Sequence, residues 1–225
     1  MRLKHITFTG IDIRTDIKAL IEIQSKFPIV EFGVLIAGHY GNRCPDIGYI
    51  KELANSGLNL SLHACGRYTQ DLIQTGSWDI IREASNGLIG FNRCQLNVSG
   101  RKPKSATETI TCPPELKEII IQQRPDDTRI FDAINNKQGV SILMDSSGGR
   151  GIDTDIIPFN YHKVGYAGGI YSGNVYEKLS TILSLQEVSD FWIDMESGVR
   201  TDDWFDLHKV IKVLELCNQL VPIKQ

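Results

Sequence analysis

The chain has 225 residues, 41% of them hydrophobic and 23% charged, with a formal net charge of −3, a pI near 6.0 and a mean hydropathy of −0.15. A chain of this length buries about 70% of its unfolded surface, and its composition is that of an ordinary globular protein. The mild acidity leaves no electrostatic footprint for nucleic acid or an anionic membrane, and no apolar run approaches the ~18 residues a membrane span needs.

Met1-Arg2-Leu3-Lys4 leads directly into a strand without a signal-peptide core, so a cytoplasmic location is expected. The five cysteines (Cys44, Cys65, Cys94, Cys112, Cys217) form an odd set with no C-x-x-C pair, which predicts reduced thiols and not a disulfide framework or a structural zinc site.

Strand-like and helix-like segments alternate along the whole chain, the pattern of a parallel α/β architecture. Strands are expected at about 5–11, 30–37, 59–64, 91–98, 118–124, 140–146, 162–168 and 190–197. Helical patterns lie between most of them. Residues 16–26 carry apolar side chains at 17, 20, 21 and 23; residues 46–54 start behind a proline with an acidic cap; residues 201–216 pair a capping Thr201 and an acidic first turn with a long amphipathic stripe. Residues 99–117 make a poor fourth helix, with Arg101–Lys104 read as a solvated loop, and residues 152–161 offer almost no helix. Both irregular stretches follow strand C-termini, the face where a barrel builds its site. Eight sequential βα units favour one (β/α)8 TIM barrel over residues 1–225, with a doubly wound sheet as the competing fold.

Strand alternation sorts the polar residues. If Ile6, Phe8, Leu60, Leu62, Cys94, Leu96, Ile142, Met144, Ile193 and Met195 face the helices, then an inward upper ring of Thr9, His63, Cys65, Gln95, Asn97, Asp145, Asp194 and Glu196 crowns an apolar barrel. Several carboxylates and an imidazole around one mouth are costly unless a ligand, water or partners satisfy them. Three late strand ends add small residues: Gly148 and Gly149, Gly168 and Gly169, and Ser197 and Gly198. Glycine lets backbone N–H groups approach an anion closely, and this end of a barrel is where phosphate is usually held. The loop after the second strand brings His39, Tyr40 and Arg43, suited to stacking on and pairing with an anionic ring substituent. No cofactor is expected, and no ligand-spacing motif demands a metal, although His63, Asp145 and Asp194 could converge on one.

At these residues the chain resembles phosphoribosylanthranilate isomerase, the (β/α)8 enzyme of tryptophan biosynthesis. That family's Leu-Leu-Asp and Gly-Gly-Thr-Gly resemble Leu143-Met144-Asp145 and Gly148-Gly149-Arg150-Gly151. Its Ala-Gly-Gly-Leu and Glu-Asn-Val resemble Ala167-Gly168-Gly169-Ile170 and Gly173-Asn174-Val175, and its Asp-Val-Ser-Ser-Gly-Val-Glu resembles Asp194–Arg200. Weaker echoes lie at Gln95-Leu96-Asn97, Asn42–Pro45 and Thr7–Asp12. The resemblance implies a phosphorylated sugar derivative as ligand, a general acid at Asp145 and a general base at the opening-motif cysteine, where this chain has Thr9. A hydroxyl is far too weak an acid to replace a thiolate, so the chemistry is changed, relocated or lost. His63 and Cys65 are the nearest inward candidates for a relocated base, with Arg43, Gln95, Asn97, Thr9 and Asp194 positioning the substrate. A binding protein that keeps the phosphate cradle without catalysis is the alternative. A hydrolase or lyase using Asp145 with Asp194 or Glu196 as a carboxylate pair is neither supported by spacing nor excluded by the sequence.

Overall fold

The structure is a computed structural model that describes residues 2–38, 41–98, 109–159, 161, 163–185 and 190–221. Eight parallel strands, β1 (Arg2–Thr9), β2 (Val30–Ile36), β3 (Leu60–Ala64), β4 (Phe91–Asn97), β5 (Glu118–Gln123), β6 (Val140–Asp145), β7 (Lys163–Ala167) and β8 (Asp190–Met195), close into a barrel. Each pairs with the next, and β8 returns to β1 through Thr7 opposite Asp194. Helices α1 (Ile17–Lys26), α2 (Ile47–Ala54), α3 (Arg67–Thr75), α4 (Asp79–Ala84), α5 (Arg129–Ile134), α6 (Val175–Ser184) and α7 (Leu207–Leu220) supply most of the outer layer. The fold is the expected (β/α)8 TIM barrel and not a doubly wound sheet, because β8 closes on β1. No helix among the described residues is long and apolar enough to cross a membrane, and all five cysteines are free thiols.

Local chemistry explains the helix starts. Asp16 and Asp46 accept backbone hydrogen bonds from Lys18 and Tyr49, capping α1 and α2. The last helix begins five residues later than a cap at Thr201 would place it. Arg200–Thr201 and Trp204–Phe205 form a two-stranded hairpin (β9 and β10), turned through Asp202 and Asp203, both at positive φ. The cap is therefore Asp206, which accepts from the His208 and Lys209 amides, while Thr201 donates to the Asp206 side chain at 2.6 Å.

Among the described residues the crossing from β6 to β7 has no helix. Ile156, Phe159 and Tyr161 pack against the core instead, with Phe131 edge-on to both aromatic rings. Of the other irregular stretch, residues 99–108, with Arg101–Lys104, lie outside the described residues, as do His39 and Tyr40.

The apolar core sits mainly between strands and helices, and every strand residue assigned above to the helix side is buried there. Inside the barrel Ile120, Leu143 and Trp192 form a small apolar cluster with Ala167 against them, and Leu35 lines the cavity above. The lower interior is not apolar. Arg93 grips Glu31 with two hydrogen bonds of 2.5 and 2.8 Å and reaches Glu118 at 3.2 Å, while Lys163 reaches Glu118 at 2.7 Å. The Arg93 guanidinium also lies 4.6 Å from the Trp192 ring centroid. Burial alone would raise the Glu31 carboxyl, but the Arg93 charge and hydrogen bonds outweigh it and hold the group at about 2. Nearby His5 is pushed down to about 4, chiefly by burial and then by Arg93.

Candidate functional site

One cavity of about 290 Å³ opens at the C-terminal end of the barrel, near the lower end of the size range of small-molecule sites. Its wall contains Thr9, His63, Cys65, Gln95, Asn97, Asp145 and Asp194 from the strand ends, with Arg43 and Glu196 at the rim. Gly148, Gly149, Gly168, Gly169, Ser197 and Gly198 also line it. All the residues singled out by alternation and by the small-residue motifs thus meet in one place.

The contacts within this ring divide the labour among its members. Asp145, at the tip of β6, accepts four hydrogen bonds: from the Ser147 amide at 2.9 Å, the Ser147 hydroxyl at 2.6 Å, the Gly149 amide at 2.6 Å and Gln122 Nε2 at 2.7 Å. It organises the loop after β6, and both oxygens are engaged in doing so. Gln122 sits on the inward phase of β5, the one strand whose alternation leaves Ile120 and Gln122 facing Leu143 and Asp145; extending the phase rule to that strand would have found it.

Asp194 has a different environment. It accepts one hydrogen bond, from Thr9 Oγ1 at 2.8 Å, and is only 6% exposed. Burial pushes its carboxyl up to about 7, against the lowering effect of the Thr9 bond, and the negative charges of Glu196, Glu31 and Asp145 add to the rise. This places Asp194 in the range where a side chain both gives and takes protons at neutral pH.

His63 lies between two hydroxyls, with Nε2 2.9 Å from Ser61 Oγ and Nδ1 3.5 Å from Thr9 Oγ1. Burial drives its imidazole down to about 3, so the ring is neutral and a poor base. Cys65 is buried and its sulfur receives the Asn97 side-chain amide at 2.7 Å; Gln95 donates to Asn97 Oδ1 at 3.0 Å. Arg43 spans the mouth, donating to Glu196 at 2.7 Å and to Asp203 at 2.8 Å. It enters the site as a clamp between the loops after β2 and β8, with its guanidinium edge on the cavity.

The glycine-bearing loops pack on one another as well as on the cavity. Gly169 has φ +64°, and a Cβ there would sit 2.3 Å from the Asp153 amide nitrogen. Asn174 holds this junction, donating to Asp153 Oδ2 and to the Gly169 carbonyl, both at 3.0 Å. A side chain at 169 would therefore disrupt the loop junction before it reached any anion. Among the described residues, no group of His, Cys, Asp and Glu side chains is arranged to hold a metal ion.

No protein-family model matches the chain, and no curated protein matches it. Solved structures do. The N-(5'-phosphoribosyl)anthranilate isomerase of Pyrococcus furiosus superposes with a TM-score of 0.61 at 18% identity, covering 97% of this chain and 100% of that one. The phosphoribosylanthranilate isomerase of Thermotoga maritima gives 0.63 at 14% identity, covering 96% and 99%, and that of Thermococcus kodakaraensis gives 0.60 at 11%, also covering 96% and 99%. This chain has the fold of the phosphoribosylanthranilate isomerases. At such identities the likeness is one of architecture, and the departures are local. Where the family motif ends in glutamate, this isomerase-like barrel has Arg200, which is buried and donates to the Gly10 carbonyl at 2.5 Å, to Asp12 at 3.4 Å and to the Asp203 carbonyl at 2.5 Å. It ties the end of β8 to the end of β1. Where the resemblance implies a thiol base, Thr9 supports a carboxylate.

Proposed function

We propose that this barrel is an isomerase-type proton-transfer enzyme acting on a small phosphorylated sugar derivative, with Asp194 as the group that moves the proton. The observation that carries this reading is the placement of a buried carboxyl, raised to about 7, in the same cavity as three loop ends rich in glycine and serine. As a carboxylate, Asp194 takes the proton from a carbon next to a carbonyl. The C–H electron pair becomes the C=C bond of an enediolate as the carbonyl π pair withdraws onto its oxygen; the hydroxyl proton of the deprotonated carbon passes to that oxygen, and the acid so formed returns the carbon-bound proton to the former carbonyl carbon, leaving the carbonyl on its neighbour. A group titrating near the working pH serves both halves. The amides of the 168–169 and 197–198 segments bind the phosphate, as the solved neighbours' phosphoribosyl substrates suggest. The expected part of Gly148 and Gly149 changes, because their amides already donate to the Asp145 carbonyl and carboxylate; they shape the loop after β6 beside the anion. The same chemistry, with thiols left reduced, suits the cytoplasm.

A purely sequestering role is the second reading. It is favoured by Asp145, whose four accepted hydrogen bonds leave neither oxygen free to act as the family's general acid.

The two separate in deuterium oxide. Incubating the protein with a panel of phosphorylated aldoses and following carbon-bound deuterium by mass spectrometry should show incorporation for at least one, lost in Asp194→Asn. Binding without incorporation leaves the sequestering reading; no binding of any phosphorylated sugar or of inorganic phosphate removes both.

A further inference from the structure

Thr9 lies in the middle of a polar chain that crosses the barrel: Ser61, His63, Thr9, Asp194. A threonine hydroxyl has one proton to give. Two acceptors compete for it, Asp194 Oδ1 at 2.8 Å and His63 Nδ1 at 3.5 Å, and the shorter bond to a carboxylate is much the stronger. The proton therefore points at Asp194. The Thr9 oxygen then accepts from His63 Nδ1–H, which leaves Nε2 to accept from the Ser61 hydroxyl at 2.9 Å. With Thr9 donating to the carboxylate, the neutral Nδ1–H tautomer satisfies all three contacts. Gly33 leaves the room this pair occupies, since a Cβ there would stand 2.4 Å from Thr9 Oγ1 and 2.9 Å from His63 Nε2.

We infer that Thr9 is a positioning residue for Asp194: by committing its single proton to Oδ1, it confines the transferable proton of that carboxyl to Oδ2, while His63 and Ser61 fix the direction of the hydroxyl. Among the described residues, Asp194 Oδ2 has no hydrogen-bond partner, so it is the oxygen free to meet a substrate. The inference rests on Asp194 as the proton carrier. It also changes what His63 does, from a base to a strut that works only while uncharged. The other charges facing Asp194 are Glu196 on its own strand end, Glu31 from β2 and Asp145 from β6, all of which favour its protonated form. Glu196 is countered by Arg43 and Glu31 by Arg93. Thr9 is the neighbour that favours the carboxylate through a direct bond.

The test is a carbon-13 NMR titration of the Asp194 carboxyl in the wild type, Thr9→Val and Thr9→Ser. The wild-type midpoint is expected at about 7. Removing one hydrogen bond to the charged form in Thr9→Val should raise it by about 1 pH unit, and Thr9→Ser should restore it. A merely structural Thr9 would lower thermal stability and leave the midpoint in place, and that result overturns the inference. Should Thr9→Val fail to fold, the wild-type Thr9 methyl resonance decides: it must shift with the same midpoint as Asp194, and a methyl that ignores pH overturns the inference equally. The failures are distinguishable. A wild-type Asp194 titrating near its ordinary 3.8 removes the carboxyl as proton carrier. One that titrates near 7 and is unmoved by Thr9→Val removes only the role of Thr9.

Discussion

Thr9 donates its hydroxyl proton to Asp194 across 2.8 Å, joining the end of the first strand to the end of the last. The contact spans the seam where the barrel closes. Under the proposed function it relocates the chemistry the resemblance assigns to the first strand. A side chain that cannot ionise there holds a carboxyl on the adjacent strand, and that carboxyl, buried and surrounded by other acids, acquires the affinity for protons that a base and acid in one group requires.

The first expectation is that the protein does not turn over phosphoribosylanthranilate at a useful rate. Losing a general base typically costs about 10²–10⁴ in rate, and neither neutral His63 nor buried Cys65 replaces it. Expression in a tryptophan auxotroph lacking the isomerase should give no growth without tryptophan; robust complementation would refute this.

Asp194→Asn should stabilise the protein at alkaline pH. The native carboxyl binds its proton more tightly than the unfolded one, about 7 against 3.8. Stability is therefore lost as pH rises from about 4 through 7, and the loss is complete above 7. Asparagine keeps the shape and still accepts from Thr9, without the buried charge. Melting curves at pH 8 should show a gain of about 1–3 kcal/mol, roughly 2–10 °C for a chain of this size, shrinking toward zero near pH 4. An equal or lower melting temperature at pH 8 counts against a raised Asp194.

Much of the site was legible because a strand has period 2. Fixing Ile193 and Met195 on the helix side forces Asp194 inward, and the same step on β3 and β6 places His63 and Asp145. What alternation conveys is direction, and partners come only from register. Glu31 lies in an otherwise apolar run, Val30–Ile36, and its meaning depends on Arg93, two strands away in the barrel. Asp145 reads as a free acid until the loop beyond it is seen to turn back and bond it through Ser147 and Gly149. The α7 boundary was obscured for a similar reason. Asp202 and Asp203 suit the first turn of a helix, and their positive φ belongs instead to the turn of a hairpin whose first strand carries Arg200.

Asp145→Asn should loosen the loop after β6. All four groups around the carboxylate are donors, so an asparagine NH2 would be aimed at another donor, leaving a buried mismatch worth about 1–3 kcal/mol. Hydrogen exchange at the Ser147 and Gly149 amides should accelerate, and phosphate binding should weaken with it. Unchanged exchange at both amides would show that these bonds do not hold the loop.

Gly33→Ala tests the space beside the relay. The new methyl would stand 2.4 Å from Thr9 Oγ1 and 3.0 Å from the Thr9 Cα, and backbone cannot yield as a side-chain tip can. A loss of about 1–3 kcal/mol from overpacking is expected, together with an upward shift of the Asp194 midpoint as Thr9 is displaced. Wild-type stability would mean that the interior has slack there.

The last prediction concerns the ionic cluster beneath the site. Arg93→Met leaves Glu31 buried without its counter-charge, and Glu118 with Lys163 alone, at a cost of about 3–5 kcal/mol at pH 7. The pH dependence is what identifies the cause. In the wild type Glu31 is held at about 2 against an ordinary 4.5, so its contribution is fully present above about pH 4.5 and is lost as pH falls toward 2. In the variant burial is opposed by the Thr7 hydrogen bond and His5 without Arg93, and the carboxyl takes up a proton at higher pH, becoming a neutral group that the barrel interior tolerates. The deficit relative to wild type should therefore narrow between pH 7 and pH 3.5 in denaturant titrations. A second substitution, Glu31→Leu, should recover part of the loss at pH 7, because a pair replaced by apolar side chains costs less than a pair broken. If the deficit were the same at both pH values, and Glu31→Leu only added to it, the loss would come from packing around Trp192 and not from an uncompensated charge.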